Sequence, residues 1–168
     1  SEELYTLLKE KVVAPSISGL NRMGLDFKGV LFIGVMMTAD GPSVLEYNVR
    51  FGDPEAQGIM PLLAGDWGEV FRDLAKGIIR PLRWKPLYSA CVVLASPGYP
   101  DQPQKGVRIE GELDYQTPAS YFLHAGSSFK DKVWSTNGGR VLNAVGIGPT
   151  LKEARAKAYE QASKVRWN

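Results

Sequence analysis

Apolar and polar positions recur with two periods along the 168 residues, and the change of period marks out the elements. Leu4, Leu7, Leu8 and Val12 fall at helical spacing within residues 1–14, and Glu2 and Glu3 suit the positive end of a first turn. Pro15 interrupts or restarts that helix, and Ile17, Leu20 and Met23 extend the apolar stripe to a natural stop at Gly24. Phe27 to Thr38 is a long run of apolar, β-branched and aromatic residues, and Ala39-Asp40-Gly41-Pro42 supplies turn chemistry before a second strand at Val44. The pattern predicts a β-hairpin, with Gly29 and Gly34 marking close backbone approach or a bulge.

After Pro54 a short or kinked helix is expected, because Gly58 and Pro61 oppose its continuation. Asp66 with Glu69 three residues on forms a capping-box pattern, so a second helix starts there with Val70, Phe71, Leu74 and Ile78 as its buried face and Gly77 near its end. Pro81 and Pro86 break the pattern and place a domain boundary between residues 81 and 82. The rest is mostly β: Tyr88–Ser96 as a continuous apolar strand, then shorter strands at 107–109, 120–124, 132–135 and 140–146. Thr150 with Glu153 caps a closing helix whose apolar stripe is Leu151, Ala154, Ala158, Ala162 and Val165, while Lys152, Arg155 and Lys157 stay in water.

The stretch VLEYNVRFGDPE, Val44 to Glu55, carries the chemistry. Side chains alternate across a strand, so Glu46, Asn48 and Arg50 share one face and Leu45, Tyr47 and Val49 the other. At about 3.3 Å rise per residue, Glu46 and Asn48 lie roughly 7 Å apart, and their oxygens suit one hard cation, Mg²⁺ or Mn²⁺. Arg50 adds a charge that fits phosphate or carboxylate. Gly52 permits a turn, Asp53 is a good N-cap, and Pro54 suits the first helical position, which would bring a helix N-terminus beside the anion. Spacing alone leaves open a simply solvated strand face.

Composition narrows the class. A net charge of +2 is too mild to demand nucleic acid or an acidic membrane surface. The single cysteine, Cys91, sits in the apolar run ACVVLA as a buried structural thiol and suits a reducing cytosol. No apolar run approaches the roughly 20 residues of a membrane span and no signal peptide opens the chain, so a soluble cytoplasmic protein is expected. His124, the only histidine, rules out a histidine-rich metal site and reads as a structural hydrogen-bonding residue. Asn137-Gly138-Gly139-Arg140 is either a hairpin turn or a backbone anion cradle ending in arginine.

The segment FKGVLFIGVMMTADGPSVLEYNVRFGDPEAQ, Phe27 to Gln57, resembles the phosphoribosylamine–glycine ligase family of the ATP-grasp superfamily, most specifically through RFGDPE. The resemblance continues through Ser96, Gly98, Tyr99 and Pro100, through His124-Ala125-Gly126 and NGGRVL at 137–142, into the final helix. It implies an α+β chain: residues 1–81 as the C-terminal part of an ATP-grasp domain, and residues 82–168 as a small β-rich C-terminal domain closed by a helix. It also implies an ATP-dependent ligation of 5-phosphoribosylamine to glycine through a glycyl phosphate, in de novo purine synthesis. Glu46 and Asn48 match the family's metal ligands, Arg50 would stabilise phosphate or carboxylate as a catalytic residue, and Arg140 is a candidate contact to the bound nucleotide or substrate. Family chains are more than twice as long and carry a glycine-rich phosphate lid not found here. This chain is therefore expected to be part of a larger ligase, its partners being the rest of that chain and the small-molecule substrates. Alone it would be inactive. Two alternatives stand beside that expectation: a noncatalytic binding or assembly module derived from ATP-grasp, and another ATP-grasp carboxylate–amine ligase.

Overall fold

The computed structural model describes residues 2–167, so the two terminal residues, including the expected helix start at Ser1, lie outside the described residues. It forms two compact units: the chain up to Gly52 with Asp66–Pro81, and Asp53–Gly65 with the chain from Leu82 onward. Residues 53–65 pack with the second unit because their carbonyls and amides are paired there. Ser89 donates to the Gly58 carbonyl, Lys85 N–H to Leu62, and Ala64 N–H to the Arg83 carbonyl.

In the first unit, α1 (Glu2–Leu8) runs through a π-helical turn (Lys9–Val13) into α2 (Ala14–Arg22). Pro15 is therefore carried inside the helical run. A proline lacks the N–H and crowds the carbonyl four residues back, and the wider turn just upstream relieves both conflicts. β1 (Phe32–Thr38) and β2 (Gly41–Asn48) form the antiparallel hairpin. β1 starts later than expected because Gly29 adopts φ +147°, outside strand geometry. Gly34 pairs with Glu46 while Val35 pairs with Val44, leaving Leu45 as a bulge. The helix α4 (Trp67–Ala75) has the predicted cap: Asp66 Oδ1 accepts from the amides of Gly68 and Glu69. Of its expected buried face, Val70 and Leu74 are half-buried, while Phe71 is 42% exposed and Ile78, beyond the helix end, is also exposed.

The short helix before it corrects one expectation. α3 (Glu55–Ile59) begins after Pro54, and no side chain caps it. Asp53 instead accepts from the Gln57 side chain and faces Arg140, so a tertiary partner has taken the carboxylate that local chemistry assigns to a cap. Five residues are too few for a useful helix-end charge, so the expected N-terminal anion site falls away.

The second unit is built on a three-stranded antiparallel sheet in the order β3 (Tyr88–Ala95), β8 (Arg140–Gly148), β5 (Ser120–His124). α5 (Leu151–Ala162) closes over it, capped as predicted by Thr150 accepting from the Glu153 amide. Helix and sheet meet closely because Gly146, Ala154 and Ala158 lack bulk: a Cβ on Gly146 would stand 2.2 Å from the Ala154 carbonyl oxygen. A core of Ile109, Val141, Leu142 and Val165 forms at one end, with Leu94, Phe122 and Trp134 packed on it. The strand expected at 107–109 is only a bridge from Arg108 to Ser135, and the pairing passes to β4 (Glu110–Gly111), which pairs with β9 (Val165–Arg166). β6 (Ser127–Lys130) and β7 (Val133–Thr136) make a separate hairpin. No described helix is long and apolar enough to cross a membrane.

Candidate functional site

Glu46 and Asn48 lie on β2 beyond the Leu45 bulge, so strand alternation from Glu46 onward is undisturbed and both side chains leave the same face. Tyr47, on the other face, meets α2, its hydroxyl 2.8 Å from Ser16 Oγ. With Val49, Pro15 and Leu20 it lines an apolar groove of about 480 Å³. Gly34 serves the polar face: the Glu46 side chain lies over it, and a Cβ there would come within 3.0 Å of Glu46 Cγ. Neither Glu46 nor Asn48 has a side-chain hydrogen bond or ion pair among the described residues. One carboxylate and one amide oxygen are hard donors, and a small divalent ion is commonly held by one or two protein oxygens with waters and substrate phosphates. The donor set therefore fits such an ion. No cluster of three or more His, Cys, Asp or Glu side chains exists among the described residues to hold one independently.

β2 ends at Asn48, and Arg50 stands in a bend past the strand, its Nη1 donating to the Phe51 carbonyl at 2.8 Å. Its position is supported by Phe51, whose ring meets Trp67 edge-on at 5.6 Å and Phe71 at 6.2 Å. This aromatic cluster, in which Trp67 and Phe71 also stack on each other at 5.5 Å, gives the exposed Phe71 of α4 its packing partners.

Arg140 belongs to the second unit, where it opens β8. Its Nε donates to Tyr99 Oη at 3.0 Å, and its Nη1 donates to the Asp53 carbonyl and lies 3.5 Å from Asp53 Oδ2. The Tyr99 hydrogen bond chiefly, and the Asp53 carboxylate with it, raise its pKa above the ordinary arginine value. The glycines of the adjoining turns serve packing. A Cβ on Gly139 would stand 2.3 Å from the Tyr99 ring, and one on Gly126 2.7 Å from Gly138 Cα. Ser96 N–H and Oγ bond the carbonyls of Gly139 and Gly138. The turns at 96–100, 125–126 and 137–140 thus interlock, with the Asn137 amide bonded to the Gly126 carbonyl.

Cys91 is half-buried, and burial, then the nearby Asp53 and Glu55 carboxylates, push its thiol up to about 11. That favours an inert thiol. His124 stacks on Trp134 at a 4.1 Å centroid distance and its Nδ1 lies 2.7 Å from Ser127 Oγ, the structural hydrogen bond expected of it. Burial lowers its pKa, partly offset by Asp114. The Tyr99–Asp53 engagement of Arg140 carried no sequence signal beyond the resemblance, since its partners lie 41 and 87 residues away.

Two family models match: the phosphoribosylglycinamide synthetase ATP-grasp (A) domain over residues 1–56 and the C domain of the same synthetase over residues 89–168. A phosphoribosylamine–glycine ligase of Caldanaerobacter subterraneus is 42% identical over 160 residues, covering 94% of this chain and 38% of that protein. A trifunctional purine biosynthetic protein adenosine-3 of Drosophila pseudoobscura is 43% identical, covering 98% of this chain and 12% of its own length. The crystal structure of phosphoribosylamine–glycine ligase from Thermotoga maritima superposes with a TM-score of 0.80 at 36% identity, over 95% of this chain and 39% of that one. The chain thus spans less than two fifths of the ligases it matches. It belongs to the phosphoribosylglycinamide synthetase family, with sequence from both the ATP-grasp domain and the C domain.

Proposed function

We propose that this chain supplies the metal-binding strand and the C domain of an ATP-dependent ligase that joins glycine to 5-phosphoribosylamine, giving glycinamide ribonucleotide, ADP and phosphate through a glycyl phosphate in purine synthesis. The observation that carries it is the pair Glu46 and Asn48, two unengaged hard donors on one strand face, with Gly34 leaving room for the Glu46 side chain. They would hold Mg²⁺ or Mn²⁺, which when bound supplies positive charge against the β- and γ-phosphates of ATP. Arg50 binds and orients a phosphate or the substrate carboxylate beside them, its guanidinium steadied by the Phe51 carbonyl. Positioning and fixed charge then provide most of the acceleration. The rest of the ligase chain brings adenine recognition and the remaining phosphate contacts. A cytosolic setting accords with the lone, inert Cys91.

The test is the mass of the native polypeptide and its nucleotide chemistry. A mass roughly twice this chain's 18.4 kDa or more is expected, in line with the 38% share of the Caldanaerobacter ligase. ADP release should require both glycine and phosphoribosylamine and fall on the order of a hundredfold in Glu46→Gln. ADP release with another carboxylate but not glycine would instead identify a different carboxylate–amine ligase. No turnover with any carboxylate, and no metal binding that depends on Glu46, would leave a noncatalytic module.

A further inference from the structure

We propose that Gly34 is a positioning residue of the metal site on β2: the bare backbone of β1 at that point is the surface on which the Glu46 side chain lies, and it sets where the carboxylate stands. The inference rests on the ligase function proposed above, and every residue it uses belongs to the first unit. Gly34 pairs directly with Glu46, and two residues along β1 the next pair on the same face is Phe32 with Asn48. Alternation puts Phe32, Gly34 and Met36 on one face of β1, so Gly34 is a gap between two bulky side chains. The gap stands opposite the only carboxylate of β2.

Backbone conformation does not demand glycine here. Gly29 and Gly41, at the two ends of β1, have positive φ, whereas Gly34 does not and lies within the strand. Glycine in a strand interior weakens the strand, because it loses the most chain entropy and has no side chain to pack. Space is the remaining reason. A Cβ at residue 34 would stand 3.0 Å from Glu46 Cγ and 3.7 Å from Glu46 Oε1, with the Glu46 amide nitrogen the other nearest atom. The side chain therefore lies back over β1. The bulge contributes to the same aim: Leu45 drops out of the pairing and is 65% exposed, while Val44 lines the apolar groove with Tyr47 and Val49. Glu46 is the first paired residue after that irregularity, and a bulge bends its strand and re-aims the side chains beside it. Asn48 leaves the same face one pair further on, so where the Glu46 carboxylate stands decides whether both oxygens reach one ion. A Cβ at residue 34 would push Glu46 Cγ away by a few tenths of an ångström. Mg²⁺ demands near-ideal octahedral geometry, with oxygens at about 2.0–2.1 Å, and would register such a displacement.

The test uses Gly34→Ala in the native polypeptide and reads metal binding and stability side by side. Glu46 is exposed and can swing aside, so the fold accepts the methyl group. Having lost a strand glycine, the variant should unfold at a denaturant midpoint equal to or above that of the wild type. Calorimetric titration of Mg²⁺ in the presence of ADP should nevertheless show affinity lowered at least fivefold, and ligase turnover should need correspondingly more Mg²⁺. Gly34→Ala placed on Glu46→Gln should weaken metal binding no further than Glu46→Gln alone, since the methyl group acts only through that side chain. Wild-type metal affinity in Gly34→Ala, or a second fivefold loss in the double variant, would overturn the proposal. A midpoint well below the wild type would do so too, because the fold and not the carboxylate would then need the glycine. If Glu46→Gln itself leaves metal affinity unchanged, the metal site of the proposed ligase fails and the role of Gly34 with it; if Glu46→Gln weakens binding and Gly34→Ala does not, the role of Gly34 alone fails.

Discussion

β8 and β2 differ in length by one residue, nine against eight, yet they occupy opposite environments. Every residue of β8 from Val141 to Gly146 is buried, and none of β2 is. β8 has a strand on each edge and α5 on one face, whereas β2 pairs only with β1. The contrast extends to the units that carry them: among the described residues, Val12 is the one fully buried hydrophobic side chain of the first unit, while Val141, Leu142, Val145, Ala154 and Ala158 of the second have no measurable exposure. Stability is therefore concentrated around β8, and hydrated donors are kept on β2. A carboxylate and an amide on a buried strand would carry a desolvation penalty before meeting any ion.

The contrast is broken most strongly at Gly146. Gly146→Val would force a side chain into the Ala154 carbonyl and Ala158 amide, and should cost about 3 kcal/mol in chemical denaturation, the upper range for overpacking. The two helix caps sharpen it at an intermediate level: Asp66→Ala in the first unit and Thr150→Ala in the second should each cost about 1 kcal/mol. Equal losses are expected because both caps are local bonds at exposed helix starts. On the bulge, Leu45→Ala should change stability by less than about 0.5 kcal/mol, since Leu45 is 65% exposed and stands in a register irregularity. The smallest expected effect is one of pH. The fold lowers the His124 pKa below 6.5 and so favours the neutral ring, whose contribution is present above pH 6.5 and is lost as pH falls through the folded value. Thermal unfolding between pH 5 and 7 should show a loss in the wild type that His124→Gln lacks.

Where a segment's own pattern decides its structure, the sequence was legible. Tyr88–Ala95, Ser120–His124 and the β8 strand follow from apolar runs bounded by turn residues, and α4 and α5 follow from caps that the structure contains. β4 and β9 were not legible, because two residues carry no periodic signal and each exists only through its distant partner. The π-helical turn is equally silent in a pattern that runs smoothly from α1 to α2. Asp53 shows the other limit. Its neighbours Gly52 and Pro54 make an N-cap the natural local choice, and an arginine 87 residues away overrides it. At the candidate site, the shared face of Glu46 and Asn48 was legible from alternation. Arg50's departure from the strand was not, because nothing in VRFGDP marks Asn48 as the last paired residue.

The most direct test of the central claim is calorimetric titration of Mg²⁺ with ADP into the native polypeptide and into its Glu46→Gln variant. Binding in the wild type, weakened at least tenfold by a change that keeps the side chain's size and removes only its charge, is the predicted result. Equal affinity in the two proteins would contradict a metal site on β2.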